Sequence, residues 1–258
     1  MKKQDRIFNG LAQRFNHRIY NNPKGKIRLA ITQDDLQQTL DLSQPLNVLD
    51  MGAGLGQMSC WLAQQGHKVT LCEPADDMLS EAKQMLDAEG LSDHVLYRND
   101  TLQALSQTDI EPFDLIIFHA VLEWMADPQQ AIADLLTLLK PKGYLSIMFY
   151  NHHSAVMRSL MVADFKRIKN NYIAAMGNKG FTPISPLEPA QVKAWFDKFG
   201  VEILNWSGVR AFYDYMHPQA REKAKLDDVL EMERKYSKIE PWQSLARYQH
   251  VIVRYHEN

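Results

Sequence analysis

Cysteine is nearly absent. The 258-residue chain carries two, Cys60 and Cys72, with neither metal-site nor disulfide-framework spacing, as expected of free thiols in a reducing compartment. Long apolar runs are missing too. The best stretch, residues 115–125, is broken by His119 and Glu123 and is too short to span a bilayer, so no membrane partner is expected. No apolar h-region follows the charged opening Met1-Lys2-Lys3-Gln4-Asp5-Arg6, so a secretory signal is not expected and a cytoplasmic location is. An overall basic excess is lacking as well. The formal net charge is −2, which removes a global polyanion-binding signature but leaves room for a local patch. There is no internal repeat and no low-complexity segment. What remains is an ordinary globular composition, 45% hydrophobic and 23% charged, in a chain long enough for a full core.

The chain is organised around Val48-Leu49-Asp50-Met51-Gly52-Ala53-Gly54-Leu55-Gly56. Residues 46–49 read as a buried strand, and a helical pattern begins at Gln57. Glycine in such a turn tolerates positive φ, and without a Cβ it lets the backbone approach a ligand. The turn delivers that ligand to a helix N-terminus with free N–H groups.

Strands are expected over residues 46–51, 67–72, 95–98, 113–119 and 144–150, with helices over 57–65, 75–89 and 129–140 between them. Strands joined by helices imply a parallel sheet covered on both faces, and right-handed crossovers make it a doubly wound, mostly parallel α/β fold. Past Tyr150 the alternation stops. A helical insertion over 157–176 carries Arg158, Lys166, Arg167 and Lys169. A helix over 189–199, a strand over 201–206, a charged helix over 220–237 and a last strand over 245–255 follow. The expectation is one domain, 1–258, with a basic helical extension over 1–44. Helical insertions over 151–188 and 208–243, after the fifth and sixth strands, would cap a substrate. In the extension Lys2, Lys3, Arg6, Arg14, Arg18, Lys24, Lys26 and Arg28 face a single acid, Asp5, within the first 28 residues, an electropositive arm or a solvated helix face.

Two cofactor classes fit a strand, glycine loop and helix. A dinucleotide loop wants G-x-G-x-x-G, and the sixth position of that pattern, counted from Gly52, is Gln57. At the end of the next strand Glu73 places a carboxylate suited to two ribose hydroxyls, which supports a ribose without choosing between the classes. Arg98-Asn99-Asp100-Thr101 ends the third strand, and Leu102 and Gln103 open a short helix. His119 stands at the carboxyl end of the fourth, where ligands sit in open α/β sheets.

The order D-x-G-x-G-x-G, starting at Asp50, resembles the loop of class I S-adenosylmethionine methyltransferases. Over residues 5–254 the chain also resembles one bacterial family, the tRNA 5-carboxymethoxyuridine methyltransferases. The likeness is carried by Lys24-Gly25-Lys26-Ile27-Arg28 and by residues 118–128, 145–152, 207–215, 240–241 and 245–248. The resemblance implies S-adenosylmethionine as cofactor, held at Arg28, Gly52, Ala53, Gly54, Glu73, Asp100, Leu102, Gln103 and His119. It departs at Glu73, where the family commonly has Asp, and around residues 100–103. It implies a tRNA anticodon arm as partner and the carboxylate of a modified wobble uridine as acceptor. Such an acceptor is already ionised near neutral pH, so no general base and no metal is required. Tyr150, Asn151 and Arg210 are the expected substrate-positioning residues. The residue 166–169 cluster and the basic arm would meet phosphates, and Tyr150, Tyr172 or Tyr213 would stack bases. Rival expectations are a small-molecule methyltransferase, a nicotinamide oxidoreductase and a non-catalytic S-adenosylmethionine-binding tRNA module.

Overall fold

The computed structural model describes residues 4–12, 22–170 and 183–256. Lys2, Lys3, Arg14, Arg18 and Tyr172 lie outside the described residues, as do positions 171–176 of the expected insertion helix.

Seven strands form one sheet: β1 (Asn47–Met51), β2 (Lys68–Cys72), β3 (Val95–Arg98), β4 (Phe113–His119), β5 (Leu139–Tyr150), β6 (Glu202–Val209) and β7 (Tyr248–Arg254). Their order is β3-β2-β1-β4-β5-β7-β6. The first five pair in parallel, and β7 inserts antiparallel to both β5 and β6. β4 shows why the centre is buried on both sides. Leu115 and Ile117 join one apolar cluster, Ile116 and Phe118 the other. A strand with both faces apolar reads as a continuous hydrophobic run, as parallel sheets require.

Eleven described helices flank or extend this sheet: α1 (Pro23–Thr39), α2 (Gln57–Gln64), α3 (Asp76–Ala88), α4 (Leu102–Leu105), α5 (Pro128–Thr137), α6 (His152–Met161), α7 (Phe165–Lys169), α8 (Pro189–Phe199), α9 (Pro218–Lys223), α10 (Leu226–Tyr236) and α11 (Trp242–Leu245). Their starts follow from local chemistry. Asn22 caps α1 through Lys24 N and Gly25 N, with Pro23 in the first turn. Asp127 caps α5 through Gln130 N, again ahead of a proline.

Two expected helices are broken. The insertion helix expected over 157–176 starts earlier, at His152, and ends at Met161. Ala163 then takes a left-handed φ of 55°, and Asp164 caps a new short helix. The charged helix expected over 220–237 is α9 and α10, separated by extended backbone at Ala224 and Lys225. Asp227 and Asp228 in the first turn of α10 favour a helix start there, next to its positive dipole end.

The strand order reverses between β1 and β4, where β2 lies to one side and β5 to the other. A crevice opens at such a switch point, beyond the carboxyl ends of the strands. The chain therefore brings Gly52, after β1, and His119, ending β4, to one place.

Candidate functional site

The glycine loop needs its glycines. Gly52, Gly54 and Gly56 have φ of 70°, 61° and 77°, a region costly to residues with a Cβ. Gly52 N and Ala53 N both donate to Cys72 O, at 2.8 and 3.2 Å, which pins the loop to the end of β2. Glu73 follows Cys72 and folds back under the loop. Its Oε2 accepts from Gly54 N at 2.8 Å and its Oε1 from Ala75 N at 2.9 Å. The longer side chain thus joins the loop to the first turn of α3. Burial pushes the Glu73 carboxyl up, and these two backbone N–H groups pull it back.

Two adjoining cavities meet here. Arg28, Gly52 and His119 line both. One adds Asp50, Ala53, Gln57, Met58 and Thr32. The other adds Gly54, Glu73, Pro74, Met78, Val121, Trp124 and the strap of residues 6–8. The arrangement suits an elongated ligand. A guanidinium for a carboxylate and the glycine loop stand where the two cavities meet, and an acidic side chain with apolar walls lines one of them.

In the described part of the N-terminal arm, residues 5–8 form a strap, which is neither of the two expected forms, an electropositive arm or a solvated helix face. Arg6 N donates to Trp124 O at 3.0 Å, and its guanidinium lies over the Phe8 and Trp124 rings at 4.9 and 5.3 Å. Asp5 accepts from Ala126 N and from Gln103 Nε2. Residues 5–8 thus cross the crevice instead of extending into solvent.

Asp50, first residue of the loop motif, is buried and accepts from Ser59 Oγ at 2.7 Å. Burial raises its pKa to about 6, above the ordinary 3.8. The folded chain therefore holds this proton more tightly than the unfolded chain. The stabilisation is full below the lower value and is lost as pH rises through the higher one. Asp50→Asn keeps an acceptor for Ser59. It is expected to stabilise the unliganded protein by about 1–3 kcal/mol near pH 8 and to change little near pH 4, read by urea unfolding.

A second region opens beside β5 and β7. Arg210 has a left-handed φ of 59°, and its Nε lies 2.7 Å from Asp214 Oδ2. Its guanidinium stacks on the Tyr248 ring at 5.3 Å. Tyr248 meets Tyr150 edge-on at 5.7 Å, and Arg247 lies over Tyr150 at 4.4 Å. Burial pushes the Asp214 carboxyl up, but Arg210, Arg247, Lys24 and Arg158 outweigh it and hold it below the usual range. Tyr150, Arg158, Arg167, Arg247 and Asp164 line a polar pocket of about 240 Å³ that shares no residue with the two cavities above.

Asn151 does not belong to a substrate site. It is fully buried, its Nδ2 donates to Ser244 O and Ala246 O, and its Oδ1 accepts from His153 N to cap α6. Both Nδ2 hydrogens and Oδ1 are engaged within the fold, and the side chain is closed off from solvent. Asp100, Leu102 and Gln103 line neither cavity. Asp100 takes Arg98 Nε at 2.7 Å, Leu102 is core, and Gln103 holds Asp5. Tyr213 is buried beneath Arg221, which excludes it as an open stacking platform.

Glu123, Tyr248 and Arg247 lie within stretches that carry the family likeness, but the sequence singles none of them out; Arg247 lines the polar pocket, while Glu123 and Tyr248 line none of the three cavities. Glu123 is buried, its Oε2 has no hydrogen-bond partner among the described residues, and burial raises its pKa to about 7 against the backbone N–H groups of Glu123 itself and Tyr150 and the weaker pull of Arg28. Its signals in the chain are an acid inside an apolar stretch and a place within the 118–128 likeness. Among the described residues no cluster of His, Cys, Asp and Glu is arranged to hold a metal, and no helix is long and apolar enough to cross a membrane.

The methyltransferase domain family model matches residues 49–147, from β1 through most of β5. Among solved structures, the cyclase SpnF shares the fold at TM-score 0.63 and 17% identity, covering all of both chains. The plantazolicin methyltransferase BpumL in complex with SAH shares it at TM-score 0.60 and 13% identity, over 96% of this chain and 89% of that one. A ubiquinone biosynthesis O-methyltransferase of Xylella fastidiosa is 30% identical over 70% of both chains. The tRNA 5-carboxymethoxyuridine methyltransferase of Escherichia coli K12 is 37% identical over 253 residues, 97% of each chain. A match of that extent takes in the Arg210–Tyr248 region as well as the glycine loop. The chain belongs to the tRNA 5-carboxymethoxyuridine methyltransferase family.

Proposed function

We propose that the protein uses S-adenosylmethionine to esterify the side-chain carboxylate of 5-carboxymethoxyuridine at the wobble position of tRNA, in the cytoplasm. One observation carries this reading. A ladder of cations and tyrosines, Arg210–Tyr248–Tyr150–Arg247, runs along the carboxyl end of the sheet and opens onto the Arg158–Arg167 pocket. A small apolar acceptor would need no such wall.

The crevice residues fit the cofactor. Arg28 would take its carboxylate, the glycine loop its backbone-close middle, and Glu73 its ribose hydroxyls. When bound, the cofactor supplies an electrophilic sulfonium methyl. The acceptor carboxylate needs no deprotonation, so the protein's work is alignment, with reacting atoms at about 3–3.5 Å. Asp214 already engages Arg210, which tempers the charge that guanidinium offers. The acceptor is held without the over-stabilisation that would blunt its nucleophilicity. Neutralisation of two charges in the transition state favours the dry setting made by the strap and Trp124.

Segments 151–188 and 208–243 would form the cap over the anticodon arm, with Arg158, Arg167, Lys166 and Lys169 meeting phosphates. The decisive experiment incubates the protein with S-adenosylmethionine and tRNA lacking only the terminal methyl ester, followed by nucleoside mass spectrometry. A gain of one methyl on carboxymethoxyuridine is expected. No gain with cofactor bound would favour another acceptor or a binding module. Arg247→Ala is expected to raise KM for tRNA about tenfold with cofactor affinity unchanged, and to flatten the salt dependence of binding by about one phosphate contact.

A further inference from the structure

A buried hydrogen-bond chain runs from the cofactor crevice across one face of the sheet, from β4 over β5 and β7 to α1. His119 Nε2 lies 2.8 Å from Ser146 Oγ, and Ser146 Oγ lies 2.8 Å from His250 Nε2. His250 Nδ1 lies 2.8 Å from Asp35 Oδ2 on α1. Asp35 also accepts from Ser207 Oγ, and its other oxygen takes Lys238 Nζ at 3.1 Å. Ser146, Ser207 and His250 are fully buried, and Asp35 nearly so. The proposed reaction needs no proton transfer, so catalysis leaves this chain unexplained.

Proton counting gives it a role. A hydroxyl between two imidazole nitrogens has one hydrogen, so it donates to one ring and accepts from the other. Of His119 Nε2 and His250 Nε2, one therefore carries a proton and the other is bare. The Asp35 carboxylate requires a proton on His250 Nδ1. Lys238 pairs with the other oxygen of Asp35, so the Nδ1–H of His250 completes that carboxylate's contacts without a second ring proton, which leaves Nε2 as the acceptor. Ser146 then donates to His250 and accepts from His119 Nε2–H. The groups facing His250 and its carboxylate partner are Asp35 from α1, with Lys238 on its other oxygen, His119 from β4, Ser146 from β5 and Ser207 from β6.

We infer that Asp35, His250 and Ser146 are positioning residues that fix the tautomer of His119, so that its Nδ1 faces the crevice as an acceptor for the α-ammonium of the cofactor. This rests on the reading of the crevice as an S-adenosylmethionine site. Arg28 lines the same two cavities and supplies the donor for the α-carboxylate. A second donor at His119 would oppose the ammonium, and an acceptor completes the amino-acid pocket. Second partners that set a histidine's tautomer this way are a general device.

The test uses S-adenosylhomocysteine and its desamino analogue, in which hydrogen replaces the α-amino group, with calorimetric affinities for wild type, Ser146→Ala and Ser146→Thr. Ser146→Ala is expected to weaken S-adenosylhomocysteine about tenfold and leave the desamino analogue unchanged, which also shows that the variant is folded. Ser146→Thr keeps the hydroxyl and is expected to retain wild-type affinity. Nitrogen-15 NMR of the unliganded wild type is expected to show His119 protonated at Nε2 and bare at Nδ1. Equal loss for both ligands in Ser146→Ala, or an Nδ1–H tautomer in wild type, overturns the inference. Failure of S-adenosylhomocysteine to bind wild type would instead overturn the cofactor reading.

Discussion

Gly52→Ala is expected to raise the dissociation constant for S-adenosylhomocysteine at least about 100-fold and to cost roughly 2–4 kcal/mol of stability. Two effects act together. Gly52 has a φ of 70°, a region that costs an L-residue roughly 1–2 kcal/mol. A Cβ there would also lie 2.5 Å from Val121 Cγ2 and 3.2 Å from its Cγ1. Val121 is β-branched and has few rotamers in which to retreat. The loop would have to move, and both Gly52 N and Ala53 N are tied to Cys72 O. Movement therefore disturbs the backbone that approaches the ligand. Adding Val121→Ala is expected to recover part of the stability, because it removes the clash and leaves the dihedral cost. Calorimetry with S-adenosylhomocysteine and thermal unfolding of the single and double variants check this.

Glu73→Ala is expected to be the second severe change, with affinity falling about 100- to 1000-fold. Glu73 does two jobs. Its oxygens hold Gly54 N and Ala75 N in the unliganded protein, and each has lone-pair capacity left for a ribose hydroxyl. Removing it orphans two backbone donors beside the ligand and deletes two charge-assisted bonds to it, each worth roughly 1.5–3 kcal/mol. Glu73→Gln should fall between, since the amide offers one acceptor where the carboxylate has two. Glu73→Asp should lose the reach to one of the two backbone donors, because the shorter side chain cannot bridge loop and helix. The order Glu, Gln, Ala in titrations of S-adenosylhomocysteine checks the account. Equal affinity for Glu73→Ala and wild type would remove Glu73 from the site.

The readable part of this protein was local. Strand, glycine loop and helix follow from apolar runs, glycine spacing and caps within a few residues of one another. The same holds for Glu73, one residue past β2, and for His119, which ends β4. Their meeting follows from handed crossovers and a switch point, which are general properties of α/β chains. Asn151 shows the limit. A polar residue at a strand end looks like a site residue, but its role was set by carbonyls of Ser244 and Ala246, about ninety residues on. Asp100–Gln103 shows it again, since Gln103 answers to Asp5, 98 positions earlier in the chain.

The cofactor class and the order of the core elements were thus dictated by short-range pattern, because backbone conformation and helix capping depend on near neighbours. The acceptor wall and the Asp35–His250–Ser146–His119 chain came only from folding. They join residues separated by up to 215 positions, brought together by antiparallel insertion of β7 beside β5 and by packing of α1 behind it. Whether a buried serine, histidine or arginine is filler or function depends on which atoms reach within hydrogen-bonding distance. That distance is a property of packing, which no spacing along the chain encodes.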